Sequence, residues 1–144
     1  MYKVKQASTK THLKNIIQLR YDVLREPWKQ SIETATDELE QQSINAYIED
    51  ENGTIIACGR LQENENKIGQ IRFMAVSNNY QGKGIGKLII NYLEEKAKEK
   101  KLVEIQLQAR ENAVQFYKSC NYTVSQKSFL LWGIIQHYLM TKSL

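Results

Sequence analysis

Cysteine and proline are almost absent from this chain of 144 residues: Cys58 and Cys120 are the only thiols, and Pro27 is the only proline. Two distant cysteines without a CxxC pair or Cys/His spacing argue against a disulfide framework and a zinc site, and read as buried thiols of a reducing compartment. No apolar run approaches the roughly 20 residues needed to cross a bilayer. The opening stretch, MYKVKQASTK, lacks the continuous apolar segment of a secretory signal. A cytoplasmic protein with no membrane partner is therefore expected. No repeat and no low-complexity linker divides the chain.

What is present is a globular composition, with 42% AVILMFWYC and 25% charged residues, in a length suited to a single domain over 1–144. Folding at this size buries roughly two thirds of the surface of the unfolded chain, so the core needs no metal or disulfide staple. The 20 Lys and Arg against 16 Asp and Glu leave a net charge of +4. The most basic stretch, Lys96 to Lys101, is interleaved with Glu94, Glu95 and Glu99 and reads as the solvated face of a helix. None of the standard nucleic-acid motifs accompanies it, so no nucleic acid partner is expected.

Leu13, Ile16, Ile17, Tyr21 and Leu24 recur at helical spacing and predict an amphipathic helix near 11–25, ending before Pro27. Ser31 to Ser43 is polar, carries Glu33, Asp37, Glu38 and Glu40 without a basic residue, and has room for one short helix. Ala46 to Glu49 and Thr54 to Gln62 are strand-like, and Asn52-Gly53 between them signals a type I′ hairpin, in which both turn residues need positive φ. Ile68 to Val76 is a further strand, broken by Ser77-Asn78-Asn79. A glycine-rich turn then opens a helix with the apolar stripe Ile85, Leu88, Ile89, Tyr92, Leu93 and Ala97. Leu102 to Gln108 is a strand, Asn112 to Cys120 a short helix, and Tyr122 to Leu131 and Ile134 to Thr141 two last strands. The order predicts an α/β (α+β) fold with a mixed, mostly antiparallel central sheet flanked by helices.

The run Gln81-Gly82-Lys83-Gly84-Ile85-Gly86-Lys87 joins a strand end to a helix start. A helix N-terminus offers unpaired NH groups and a partial positive charge, and glycines let a phosphate or pyrophosphate approach the backbone. Two nucleotide motifs fail on counting. A P-loop ending at Gly86-Lys87 needs glycine at 81 and Ser/Thr at 88, where Gln81 and Leu88 stand. A dinucleotide fingerprint starting at Gly82 needs a small residue at 87, where Lys87 stands.

Read as Q/R-x-x-G-x-G/A, Gln81 to Gly86 resembles the GNAT superfamily of acyl-CoA-dependent N-acyltransferases. The preceding Gln70-Ile71-Arg72-Phe73-Met74-Ala75-Val76 is similar to that family's strand leading into its pyrophosphate loop. A second block, Asn112-Ala113-Val114-Gln115-Phe116-Tyr117-Lys118-Ser119-Cys120-Asn121-Tyr122, resembles the family's N-x-x-A-x-x-[FL]-Y-x-x-x-G-[FY] segment, with slight changes in spacing. Asn121 replaces the usual glycine, and Asn also tolerates a left-handed helix terminus.

The resemblance implies acetyl-CoA as cosubstrate, no metal, and direct transfer in a ternary complex to a primary amine of a small molecule, peptide or protein. By the same resemblance the NH groups of Gln81 to Lys87 hold the pyrophosphate. Met74, Ala75 and Val76 line the pantetheine, and Asn112 and Tyr117 complete the cofactor site. Tyr117 falls where many members carry the tyrosine that protonates the departing thiolate; packing on the short helix is its other reading. The amine must lose a proton: at pKa near 10.4 only about one part in two thousand is neutral at pH 7, equivalent to about 4–5 kcal/mol. Some members use a Glu on the strand before the glycine loop, but Gln70 and Arg72 stand there. His137, on a strand where some small members carry a histidine, is the first candidate base. Glu63 and Glu65 are weaker candidates, and His12 reads as an exposed helix-start residue. Arg20 sits on an apolar stripe and either lines the acceptor cleft or snorkels. Glu33, Asp37, Glu38 and Glu40 are either solvated loop charge or an acidic wall for a cationic amine. Trp28 and Trp132 pack in the cleft or anchor loops. A covalent route through Cys58 or Cys120 lacks a visible basic partner. Homodimers are common in the family, and a catalytically inactive CoA-binding sensor is the alternative function.

Overall fold

The structure, a computed structural model, describes residues 2–144. Seven strands, β1 (Lys5–Gln6), β2 (Ile44–Glu49), β3 (Ile55–Glu63), β4 (Ile68–Val76), β5 (Glu104–Arg110), β6 (Thr123–Leu131) and β7 (Ile135–Ser143), form one sheet in the order β1-β2-β3-β4-β5-β7-β6. Every neighbouring pair is antiparallel except β4 and β5, which are parallel. That exception follows from connectivity, because a helical crossover, α2 (Ile85–Glu99), joins the two. This is the mixed, mostly antiparallel sheet the element order predicts, with the two-residue β1 as an added edge.

One helix covers each face. α1 (Lys10–Arg20) buries Ile16 and Leu19 against Tyr47, Ile55, Cys58 and Ala75. Thr9 caps it, its hydroxyl accepting the His12 NH at 3.0 Å. On the other face α2 buries Ile85, Ile89, Ile90, Leu93 and Ala97 against the strand side chains Ile56, Leu61, Ile71 and Ile105. Leu88, expected on that stripe, is exposed, and Ile90 takes the buried place. The third helix, α3 (Val114–Ser119), follows a 3-10 turn at Glu111–Ala113 and ends at Asn121, which has φ +72°, the left-handed terminus anticipated there.

Three local expectations are corrected. The helix expected to 25 stops being α-helical at Arg20 and continues as a π-helical turn, Tyr21–Arg25, before the 3-10 turn that holds Pro27. The stretch 31–43 holds two 3-10 turns, Ile32–Ala35 and Glu40–Gln42, where one short helix was expected. The β2–β3 hairpin is not a type I′ turn, because Asn52 stays out of the positive-φ region. Instead Asp50 organises the loop, its Oδ1 accepting the NH groups of Asn52 at 2.9 Å and Thr54 at 3.0 Å. Two consecutive positive φ values appear at the β6–β7 connection, at Trp132 (53°) and Gly133 (70°).

Candidate active site

The two central strands part company half-way along. β4 pairs with β3 as far as Val76 opposite Ala57, but its pairing with β5 ends at Ile71 opposite Leu107. β5 continues instead with β7, to Arg110 opposite His137. The cause is a bulge. Cys58 pairs with Ala75 and Arg60 with Arg72, so Phe73 and Met74 together oppose Gly59, and Phe73 takes φ +55°. Gly59 is required there, since a Cβ would sit 2.5 Å from Met74 Sδ and 2.7 Å from Ile89 Cγ2. Beyond the bulge the β5-facing backbone edge of Met74 to Val76 has no ladder partner among the described residues.

At the end of β4 the chain turns into the glycine loop. The Gln81 side chain closes it, Nε2 donating to the Val76 carbonyl at 3.0 Å and to Asn78 Oδ1 at 3.2 Å. Gly84 is the N-cap of α2 at φ +79°, no side chain caps the helix, and its first turn carries no acidic residue. No atom lies within 4 Å of where a Cβ would stand at Gly82 or Gly84. The NH groups are therefore approachable from outside, in a positive field. Lys83 lies over the Tyr80 ring at 5.6 Å, and Lys83, Lys87 and Asn112 are exposed. Phe116 rests on Gly86, its Cζ 3.1 Å from the Cβ position, which docks α3 against the start of α2.

Tyr117 and His137 flank the C-terminal end of β5. Tyr117 is 8% exposed, more buried than its neighbour Phe116, and its hydroxyl makes no hydrogen bond among the described residues. Burial pushes its phenol well above the ordinary value of 10, so it remains protonated at physiological pH. His137 is 5% exposed and stacked on Phe129, with ring centroids 4.5 Å apart. Its Nδ1 lies 3.0 Å from the Ile135 carbonyl, which assigns the proton to Nδ1 and the free lone pair to Nε2. Burial lowers its pKa below the ordinary 6.5; the Ile135 carbonyl pulls the other way, and the charges of Arg110 and Arg25 reinforce the burial.

Residues 13–122 match the sequence pattern of the acetyltransferase (GNAT) family. The chain belongs to that family. Membership makes it an acyl-CoA-dependent N-acetyltransferase. Over 98% of its length the GNAT chain is 29% identical to protein YyaT of Bacillus subtilis (strain 168), of which it covers 95%. Its fold superposes on a candidate N-acetyltransferase from Lactobacillus plantarum with a TM-score of 0.88, at 19% identity over 99% of this chain and 98% of that one. An aminoglycoside 6′-N-acetyltransferase complexed with coenzyme A superposes with a TM-score of 0.81, at 14% identity over 98% and 96% of the two chains.

The charged residues considered for an acceptor cleft arrange themselves differently from expectation. Arg20 does not line the cleft. It is wholly buried, with Nη1 2.6 Å from Glu40 Oε1 and Nη2 3.1 Å from Oε2, and it also donates to the Ala35 carbonyl and Asn45 Oδ1. Nor do Asp37 and Glu40 form an acidic wall. Asp37 takes both Nη atoms of buried Arg60, at 2.8 and 2.9 Å, and Arg72 Nη1 at 2.9 Å. The Arg60 hydrogen bonds hold the Asp37 carboxyl below its usual range. For Glu40 burial acts upward but is outweighed by Arg20, Thr36 and Arg60, so its pKa also falls. Both carboxylates are neutralised by arginine, while Glu33 and Glu38 stand in solvent.

The remaining candidates sort plainly. Glu63 and Glu65 are exposed, and Gln70 hydrogen-bonds Asn64 at 3.0 Å. His12 is half-buried, its Nδ1 accepting the Ser8 NH and its Nε2 3.4 Å from the Tyr47 hydroxyl, so it organises the start of α1. Trp28 is a surface residue, whereas the Trp132 ring lies 5.3 Å from the guanidinium of Arg25. Burial raises the Cys58 thiol to about 11 and the Cys120 thiol above its ordinary value, which leaves neither a ready thiolate. Among the described residues no group of three or more His, Cys, Asp or Glu gathers as metal ligands, and no helix is long and apolar enough to cross a membrane. Arg25, Arg60 and Arg110 were missed. Arg60 carried a signal, a lone charge inside Ile55-Ile56-Ala57-Cys58-Gly59-Arg60-Leu61.

Proposed function

We propose that residues 1–144 act as one GNAT-like domain that moves an acetyl group from acetyl-CoA to a primary amine of a small molecule, peptide or protein, directly in a ternary complex. The reading rests above all on one coincidence: the parting of β4 from β5 opens beside an uncapped, glycine-lined helix N-terminus. A long ligand with an anionic middle fits both at once. The NH groups from Gln81 to Lys87 would hold its pyrophosphate, Lys83 and Lys87 would add charge, and the free edge at Met74, Ala75 and Val76 would pair with its amide-bearing arm. Asn112 and Tyr117 would complete the site from α3 and the 3-10 turn before it, and Phe116 docks α3 against Gly86 at the start of α2.

Acetyl-CoA supplies the activated thioester. The chain supplies proton handling and positioning. His137 Nε2 is the acceptor for the amine proton, and its depressed pKa keeps it neutral and ready at pH 7. Tyr117 keeps its proton at Oη, because burial disfavours the phenolate, and offers that O–H to the leaving sulfur as a hydrogen-bond donor while negative charge develops there. Arg110 stands opposite His137 across β5 and β7, and its charge acts on Tyr117 as well, which supports reading the two groups as parts of one site.

The test is thermal unfolding with and without acetyl-CoA, with NADH and ATP as controls, followed by thiol release in the presence of amines. Acetyl-CoA at 100 times its Kd should add about 2.7 kcal/mol, a shift of several degrees. The absence of a shift at millimolar acetyl-CoA would overturn the reading.

A further inference from the structure

The surroundings of Phe73 carry more positive charge than the protein itself neutralises. Arg20, Arg25, Arg60 and Arg72 all place their guanidinium carbon within 5.7 Å of the Phe73 ring centroid. Arg110 joins them through its hydrogen bond to the Leu24 carbonyl at 3.0 Å. Against these five cations stand two carboxylates, Asp37 and Glu40, and both are engaged by Arg20, Arg60 and Arg72. Arg25 and Arg110 have no acidic partner among the described residues. Arg25 is 9% exposed and donates only to the Thr34 and Leu24 carbonyls. A buried guanidinium without a counter-charge is unfavourable, and this one stands beside more positive charge.

Position gives this excess a meaning. Arg110 ends β5 directly opposite His137, and Arg72 lies on β4 one residue before the bulge. Arg25 lies against Trp132, whose positive φ is a strained conformation for an aromatic residue. Arg25, from the turn after α1, and Arg72, from β4, therefore meet over the Phe73 ring, and Arg110, tied to the same turn through the Leu24 carbonyl, stands across the ladder from His137.

We propose that Arg25, Arg72 and Arg110 form an oxyanion pocket, and that the acceptor is a small primary amine carrying its own carboxylate or phosphate, an amino acid being the simplest case. The proposal rests on the acetyl-transfer reading above and names its substrate class. Guanidinium forks match oxyanions geometrically as well as electrically. An acceptor anchored by its anion presents its amine to His137 within a few bonds, and a polycation is repelled. Burial, followed by the charges of Arg110, Arg72 and Arg20, already lowers the Arg25 pKa to about 10, which leaves it fully cationic at pH 7 and in need of an anion.

The experiment uses the full chain, acetyl-CoA and thiol release. The probes are the L-amino acids and O-phosphoethanolamine, each matched with its uncharged partner (the amino acid amide or ethanolamine), together with spermidine and kanamycin. At least one anionic amine should exceed its partner in kcat/KM by about 100-fold, the worth of two charged hydrogen bonds. Whether amino acids or O-phosphoethanolamine respond separates carboxylate from phosphate. Arg25→Gln and Arg110→Gln should raise the KM of that acceptor by about 10- to 100-fold and leave the KM of acetyl-CoA unchanged, with Arg25→Lys and Arg110→Lys milder. Should the Gln variants fail to fold, the wild-type panel and the Lys variants still decide. Equal or better turnover of neutral amines or polycations, or of no anionic amine at all, overturns the proposal, as do folded Gln variants with unchanged KM. A thermal shift with acetyl-CoA in the same preparation shows whether the pocket alone has failed; without that shift the acetyl-transfer reading fails with it.

Discussion

The base role proposed for His137 depends on what surrounds a single side chain. An unperturbed imidazole would be partly protonated near neutrality, but burial and two nearby arginines move its pKa down, and the Ile135 carbonyl turns Nε2 into the free acceptor. The sign follows directly. In the proposed base role the active form is neutral, so kcat/KM should rise with pH through a midpoint below 6.5 and be level, as far as this group is concerned, by pH 7. His137→Gln should lower kcat by about 10²–10⁴-fold and abolish that acid limb. Persistence of the limb in the variant would assign it to another group. Burial has the opposite effect on Tyr117, where it disfavours the phenolate and raises the pKa.

At the scale of elements the glycine loop is where conformation and the proposed binding of acetyl-CoA meet. Gly84 must adopt φ +79° to turn the chain from the 78–80 turn into α2. A left-handed conformation costs a non-glycine residue about 1–2 kcal/mol. The site is open, so Gly84→Ala meets no steric clash. Its expected outcome is a Tm lower by several degrees and a raised KM for acetyl-CoA, since the methyl group occupies the face a pyrophosphate would approach. An unchanged KM would separate the loop from acetyl-CoA binding. The bulge at Phe73 and Met74 has the complementary task. It ends the β4–β5 ladder and frees a strand edge, and Gly59 makes the room that allows it.

Across the whole molecule the buried arginine–carboxylate network ties distant parts of the chain together. Hydrogen bonds of 2.6 to 3.1 Å join Arg20 of α1 to Glu40 and to Asn45 of β2, and Asp37 to Arg60 of β3 and Arg72 of β4, and an Arg60–Glu40 ion pair at 3.4 Å links the two groups. Breaking such a network from one side strands a buried charge, so Glu40→Gln should destabilise the fold by about 3–5 kcal/mol in denaturant unfolding. The pH dependence has the same origin. Both carboxyls have pKa values depressed on folding, so their stabilisation is complete above the ordinary carboxylate range and is lost as pH falls below about 4. Glu40→Gln should flatten part of that acid loss. A wild-type-like stability for the variant would show that Arg20 is adequately held by Ala35 and Asn45 alone.

The amino-acid order by itself determined the strands from 44 to 76, the α2 crossover, the glycine loop and the Asn112 to Tyr122 block, because each depends on local periodicity, turn residues or a contiguous motif. The same order placed Tyr117 and His137 as candidates by resemblance. Only the tertiary structure decided what the charges do. Glu33 to Glu40 in the sequence is a run without a basic residue, yet Arg60 and Arg72 reach it from strands more than 20 positions away and turn its two inner carboxylates into structural anchors. Arg20, Arg25 and Arg110 have unremarkable neighbours along the chain. Their burial, and the surplus of positive charge beside His137, arise where α1, β4 and β5 are brought together, because the meaning of a charge depends on the groups that surround it in space.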